Sequence, residues 1–154
     1  MLRIVLLAGC LALLAPQVTL AQSIEGVWRM VEFEVEGGPN PAVFTPVQPS
    51  LFILTEGHFA YLIDTSAERR PALQDPTDAQ IVESIAPLTF AAGTYQFDGS
   101  TLRYVRLTAI NPNAVLPENQ PQVRQVERLT ANRLETSATN ADGVKTILKY
   151  NRVE

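Results

Sequence analysis

Phe90-Ala91-Ala92-Gly93-Thr94-Tyr95-Gln96-Phe97-Asp98-Gly99-Ser100-Thr101-Leu102-Arg103-Tyr104-Val105-Arg106-Leu107-Thr108-Ala109-Ile110 carries no helical period. It consists of two runs rich in aromatic, aliphatic and β-branched residues on either side of Asp98-Gly99. Glycine can take the positive φ that a tight reversal needs, so the stretch predicts a hairpin of strands Phe90–Phe97 and Thr101–Ile110. The same grammar repeats outward. Leu51–Thr55 and His58–Asp64 flank Glu56-Gly57, and Gln122–Leu129 and Arg133–Thr139 flank Ala131-Asn132. Trp28–Glu36 comes first and ends at Gly37-Gly38-Pro39-Asn40-Pro41. Val144–Val153 comes last, after Asn140-Ala141-Asp142-Gly143, which makes eight strands.

One helix is predicted, over Asp78–Ala86. Thr77 is its N-cap, Gln80 completes a capping box, and Pro87 stops it. Ile81, Val82, Ile85 and Ala86 give it one apolar face, expected to plug or cover a sheet, with a gating role as the alternative.

An antiparallel meander of these strands sends its connections alternately to two ends. The long, Pro-containing segments 37–50, 65–89 and 111–121, with 140–143, fall at one end, and the three tight turns fall at the other. A flat open sheet has no reason to sort its loops in this way. A closed barrel with a sealed end and a loop-rimmed mouth does, and closure removes the exposed edges. The sequence therefore predicts an all-β, eight-stranded antiparallel up-and-down barrel with one short helix between the third and fourth strands. Closure brings the start of the first strand beside the end of the last. Arg152 is then expected to lie over the indole of Trp28, a cation–π contact of roughly 0.5–2 kcal/mol.

The first 21 residues read differently from the rest. Every Phe, Tyr and Trp (6, 4 and 1) lies after them, and the single Cys, Cys10, lies within them. Arg3, the apolar run Ile4–Ala15, Pro16 and the small residues Thr19 and Ala21 predict an export signal over 1–21, with a single domain over 22–154. The apolar run is too short to span a bilayer, so no membrane span is expected. A periplasmic or secreted protein is. Leu7-Ala8-Gly9-Cys10 has the form of a lipobox, but it would leave only Ile4–Leu7 as apolar core, so Cys10 reads as a small hydrophobe rather than a lipid anchor.

Composition narrows the chemistry. With no Cys after residue 21 and one His in the chain, His58, there is no basis for a disulfide framework or a Cys- or His-rich metal site, and no cofactor is expected. His58 follows the turn Glu56-Gly57 and reads as a turn or surface residue rather than a general base. Asp64 is the acid nearest the mouth, and a lone carboxylate says little about catalysis. The net charge of −4 over the whole chain, with Arg scattered among acids, argues against nucleic acid as a partner.

Gly26-Val27-Trp28 resembles the G-x-W signature of lipocalins, and Arg152 resembles the Arg that covers that Trp. Leu54-Thr55-Glu56-Gly57-His58-Phe59, Phe90 to Tyr95, Gln122-Val123-Arg124 and Tyr150-Asn151-Arg152-Val153 extend the resemblance over nearly all of residues 22–154, to the bacterial lipocalin-like domain family of calycin-type barrels. The resemblance implies an eight-stranded barrel with an internal cavity, whose ligand is unassigned for most members. It transfers no catalytic residue. This chain has Tyr104 roughly where members tend to carry a His.

Alternate residues of a small barrel point inward. Phe59, Tyr61 and Ile63 form one expected inward set, and Leu102, Tyr104, Arg106 and Thr108 form one face of the fifth strand. In the fourth strand Tyr95 and Phe97 oppose Thr94 and Gln96; in the sixth, Arg124 opposes Gln125. Tyr61, Tyr95, Tyr104, Arg106 and Arg124 are the candidate ligand-binding residues: Tyr joins apolar area to a hydrogen-bonding tip, and an inward Arg favours a carboxylate or phosphate. The alternative for each Arg is an ion pair with a Glu on the outer surface. In the first strand, inward Trp28 would by strict alternation also direct Glu32 and Glu34 inward, and a β-bulge near Met30 would resolve the conflict.

Three functions fit: binding of a small apolar or amphipathic molecule inside the barrel, an isomerase or cyclase using cavity Tyr and Arg, or an envelope protein with a solid barrel that acts through its loops. A barrel with no void above the roughly 300 Å³ typical of ligand pockets would sink both ligand readings and leave the third.

Overall fold

The structure, a computed structural model, describes residues 22–154. The predicted export signal and Cys10 lie outside the described residues. The strands are β1 (Gly26–Glu36), β2 (Ala42–Phe44), β3 (Leu51–Thr55), β4 (His58–Asp64), β5 (Leu88–Phe97), β6 (Thr101–Ala109), β7 (Gln122–Leu129), β8 (Arg133–Thr139) and β9 (Lys145–Arg152). Helix α1 (Asp78–Ile85) lies between β4 and β5. From β3 to β9 each strand pairs antiparallel with the next, and β1 pairs with both β3 and β9. Eight strands thus close an up-and-down barrel, with tight turns at one end and long connections at the other.

The extra strand, β2, lies outside the ring, pairing Ala42–Phe44 with Phe33–Val35 of β1. Three residues between Pro41 and Pro46 are too short to carry a period, which is why the sequence does not announce it.

Three bulges set which side chains enter the barrel. In β1 the register slips between Met30 and Glu32, making Val31 the extra residue. Trp28 and Met30 are buried before the slip, and Phe33 packs against the core after it. Glu32 and Glu34 pair with Lys149, at 2.5 and 3.0 Å. Their hydrogen bonds hold the Lys149 ammonium well above the usual lysine range. In β6, Gly93 faces Arg106 while Ala92 faces Thr108, so Leu107 is the extra residue. Thr108, expected inward, is therefore exposed, and Ala109 packs against the core instead. In β7 the extra residue is Glu127, between Val126 and Arg128.

The sealed half is solid. Trp28, Leu54, Leu102 and Leu134 are almost wholly buried there. The Trp28 indole N–H donates to the Ile24 carbonyl at 2.9 Å, so its one polar atom is satisfied. Arg152 lies over the ring, with its guanidinium carbon 4.1 Å from the centroid.

Helix α1 has the Thr77–Gln80 capping box, yet none of its residues is buried. It does not plug the barrel, since its apolar face stays exposed. It is held at the rim by a polar clip. Asp64, 1% exposed, accepts from the Ser66 N–H at 2.9 Å and the Ser66 hydroxyl at 2.6 Å. Arg70 pairs with the same carboxylate at 2.8 Å and donates to Ser84 O of α1 at 3.3 Å. Burial alone would raise the Asp64 carboxyl, but the Ser66 bonds and then Arg70 outweigh it and hold it below its ordinary 3.8. The interaction therefore supports the fold fully above that ordinary value and fades as pH falls through the lower folded one. Asp64→Asn is expected to cost about 1–2 kcal/mol at neutral pH, since Arg70 is partly solvated. It should also flatten the acid limb of stability in thermal melts taken at falling pH. An unchanged acid limb would contradict this role.

Candidate functional site

The mouth half of the barrel is hollow. A cavity of about 220 Å³ opens there, lined by side chains of β1, β3, β4, β5, β6, β7 and β9. Its floor is aromatic. Phe59 stacks on Tyr61 at 5.9 Å between centroids and meets Tyr104 edge-on at 5.1 Å, and Phe52 lies 5.8 Å from Tyr150. Phe33, Ile63 and Leu148 complete the apolar wall. These positions follow from strand alternation corrected by the bulges: Phe33 enters only because Val31 is extra, and Arg106 is the last inward residue of β6 before Leu107 breaks the alternation.

Four of the five candidate side chains meet in this cavity: Tyr61, Tyr104, Arg106 and Arg124. Tyr95 does not join them. Although it pairs with Tyr104 across the strands, it lines a groove at the sealed end with Ile24, Glu25 and Gly57. Burial, then the nearby Glu25 charge, raises its phenol. Tyr150 and Gln122 line the cavity unanticipated; alternation from Leu148 could have found the first. His58 stands exposed at the sealed end, its Nδ1 3.2 Å from Glu56 O.

The two arginines are held differently. Arg124 spans three strands, donating from Nε to the Thr136 hydroxyl at 2.9 Å and from NH2 to Thr136 O and Thr146 O at 3.1 and 3.0 Å. Arg106 is fixed through its backbone, where the Gln120 side chain accepts from its N–H at 2.8 Å and donates to its carbonyl at 2.7 Å. Gln120 thus replaces a ladder partner, since β7 pairs with β6 only as far as Tyr104. The Arg106 guanidinium donates to Ala114 O at 3.2 Å and lies 5.9 Å from the Tyr104 ring. No signal in the sequence marks Gln120 for this task.

Burial pushes the Tyr61 phenol above its ordinary 10.0, with Arg106 pulling the other way, and burial pushes Tyr150 up as well. Both hydroxyls stay protonated at neutral pH and can donate. Among the described residues no three His, Cys, Asp or Glu side chains gather as a metal site, and no helix is long and apolar enough to cross a membrane.

No known protein-family profile matches the chain, and no curated protein sequence matches it. Among solved structures, an uncharacterized protein from Bacteroides eggerthii is similar over 81% of this chain and 97% of its own, at 12% identity and a TM-score of 0.44. The class defined by strand order and closure is thus an eight-stranded antiparallel barrel with a cup at its loop-rimmed end.

Proposed function

We propose that this protein binds a small amphipathic molecule in the mouth-side cup, as a lipocalin-like barrel working outside the cytoplasm. The carrying observation is the cup itself, an apolar aromatic floor on which the polar tips of Tyr61, Tyr104, Arg106 and Arg124 converge. The export-type N-terminus supports the location, and the G-x-W and Arg152 resemblance supports the family.

Size narrows the reading. At about 220 Å³ the cup fails the roughly 300 Å³ criterion set for a ligand pocket, which counts towards the loop-acting reading; the binding proposal therefore rests on the convergence of polar tips and is confined to a ligand below drug size. The space equals about seven water molecules at roughly 30 Å³ each. A single ring or a short chain with a polar head is the size that such a cup can hold whole. Native mass spectrometry of the purified protein, with a thermal-shift screen of small amphipathic molecules, tests this. The expected result is one bound small molecule per chain, or saturable stabilisation by some compounds. A bare chain that no compound stabilises would defeat the proposal.

A further inference from the structure

The charges inside the cup say more about the ligand than its walls do. Arg106 and Arg124 both line it, and neither is in an ion pair among the described residues. The six ion pairs among the described residues lie elsewhere, including those of Glu32 and Glu34, which the β1 bulge turns away from the interior. Among the described residues no carboxylate lines the cup. A protein of net acidic charge therefore holds two half-buried cations in its cup with no counterion among the described residues. Charges withdrawn from water are costly unless paired, and ion pairs elsewhere in the chain show that acids were available.

A second observation is independent of charge. The Nε of Arg106 is enclosed and has no hydrogen-bond partner among the described residues. Arg124 has neutral partners for most of its donors, whereas the Arg106 guanidinium bonds Ala114 O and has the Tyr61 hydroxyl as a further neighbour. The protonated phenols of Tyr61 and Tyr150 add donors on the same cavity. The lining is thus rich in hydrogen-bond donors and poor in strong acceptors.

We propose that the ligand of the cup carries an oxyanion head, a carboxylate on a single ring or short chain, seated against Arg106 with Arg124 as the second cation. This rests on the reading of the cup as a ligand site and names the chemical class it takes. The apolar remainder of the ligand lies on the Phe52–Phe59 floor. A carboxylate offers acceptor lone pairs, and the guanidinium of Arg106 can donate two parallel hydrogen bonds to it. A phosphate ester would offer the same oxygens, so the test includes one.

Calorimetric titration with benzoate, its neutral isostere benzamide, benzylamine and phenyl phosphate decides the matter. Benzoate should bind about tenfold or more tightly than benzamide, as charge-assisted bonds imply, and benzylamine should not bind. Phenyl phosphate binding above benzoate would keep the oxyanion and reassign the head. Arg106→Met should bring the benzoate-to-benzamide ratio close to one while leaving the melting temperature of the free protein unchanged or raised, because an uncompensated cation has gone. Arg106→Lys should keep the preference in part. If Arg106 served only to hold Ala114, the Met variant would instead melt lower and keep the ratio. That result, or equal binding of benzoate and benzamide, overturns the oxyanion head and leaves the cup standing. If neither these probes nor any compound of the screen binds, the ligand-site reading itself fails.

Discussion

Gly93→Ala is expected to destabilise the barrel by about 3 kcal/mol or more, or to prevent its folding, although it adds a single methyl group. Gly93 is buried in β5 opposite the β6 bulge. A Cβ there would overlap the carbonyl oxygen of Val105 and stand 3.0 Å from the Leu107 amide nitrogen. Both obstacles are backbone, and both belong to the bulge, so no side-chain rotation relieves them. Relief requires the bulge to straighten, and that would drag Arg106 out of register and return Leu107 to the alternation. The same change at Gly99 is the control. There φ is +98° and nothing lies within 4 Å, so Gly99→Ala carries backbone strain without collision and should cost markedly less. Urea unfolding of the two variants against the parent checks the order. Similar losses at both positions would contradict the collision account.

The second large effect is expected at Arg152. Its guanidinium donates to Ala131 O at 2.6 Å, Glu25 O at 2.5 Å and Ser23 O at 2.9 Å while lying over Trp28. One side chain thus joins the β7–β8 turn, the segment before β1 and the end of β9. Arg152→Met keeps most of the stem and loses the fork, and should cost about 2–4 kcal/mol, less than the sum of its contacts because the freed carbonyls can reach water. Arg152→Lys should recover only part of it, since an ammonium cannot match three carbonyls and an aromatic face in a fixed plane. Trp28, the only Trp, is fully buried, so its fluorescence reports the loss directly. A Met variant with parental stability and emission would show the cover to be ornamental.

Gly26 belongs to the same device. Its φ is +143°, and a Cβ would run into the Arg152 guanidinium and stand 2.6 Å from Glu154 O. The G of the G-x-W pattern is thus room for the Arg that covers the Trp, a link that three letters of sequence do not convey.

What the sequence made legible was whatever depends on turns and alternation. The hairpin turns, the order of the strands and the sorting of loops to one end all follow from Gly, Asn and Asp positions, and closure followed from that sorting. The β1 bulge was posed by the sequence but not decided: Glu32 and Glu34 would otherwise have faced the core with Trp28, and the bulge offered one way out, which the register confirms. The bulges at Leu107 and Glu127 left no such contradiction. Thr108 and Ala109 suit either face of a strand, so parity beyond Arg106 could not be read. Helix α1 was legible as a helix, but its partner was not: amphipathicity says that a face is apolar, not that anything covers it. The convergence of Tyr61, Tyr104, Arg106 and Arg124 follows alternation, whereas Tyr95 satisfies the same parity and still lines the other end. Parity fixes the side of a sheet and says nothing of the level along a barrel.

The β1–β9 seam has a consequence for the order of events when the chain is made. It joins the first strand to the last, and the bond from Arg152 to Ser23 spans 129 residues. Hairpins β3–β4, β5–β6 and β7–β8 can form as each is completed, since their partners are near neighbours. The ring cannot close until β9 has been synthesised, and until then β1 has an unpaired edge and Trp28 has no cover. Closure is therefore the late, slow step, set by the loop entropy of a nearly chain-length contact. Without β9 the chain would expose the edge of β1 that the seam covers.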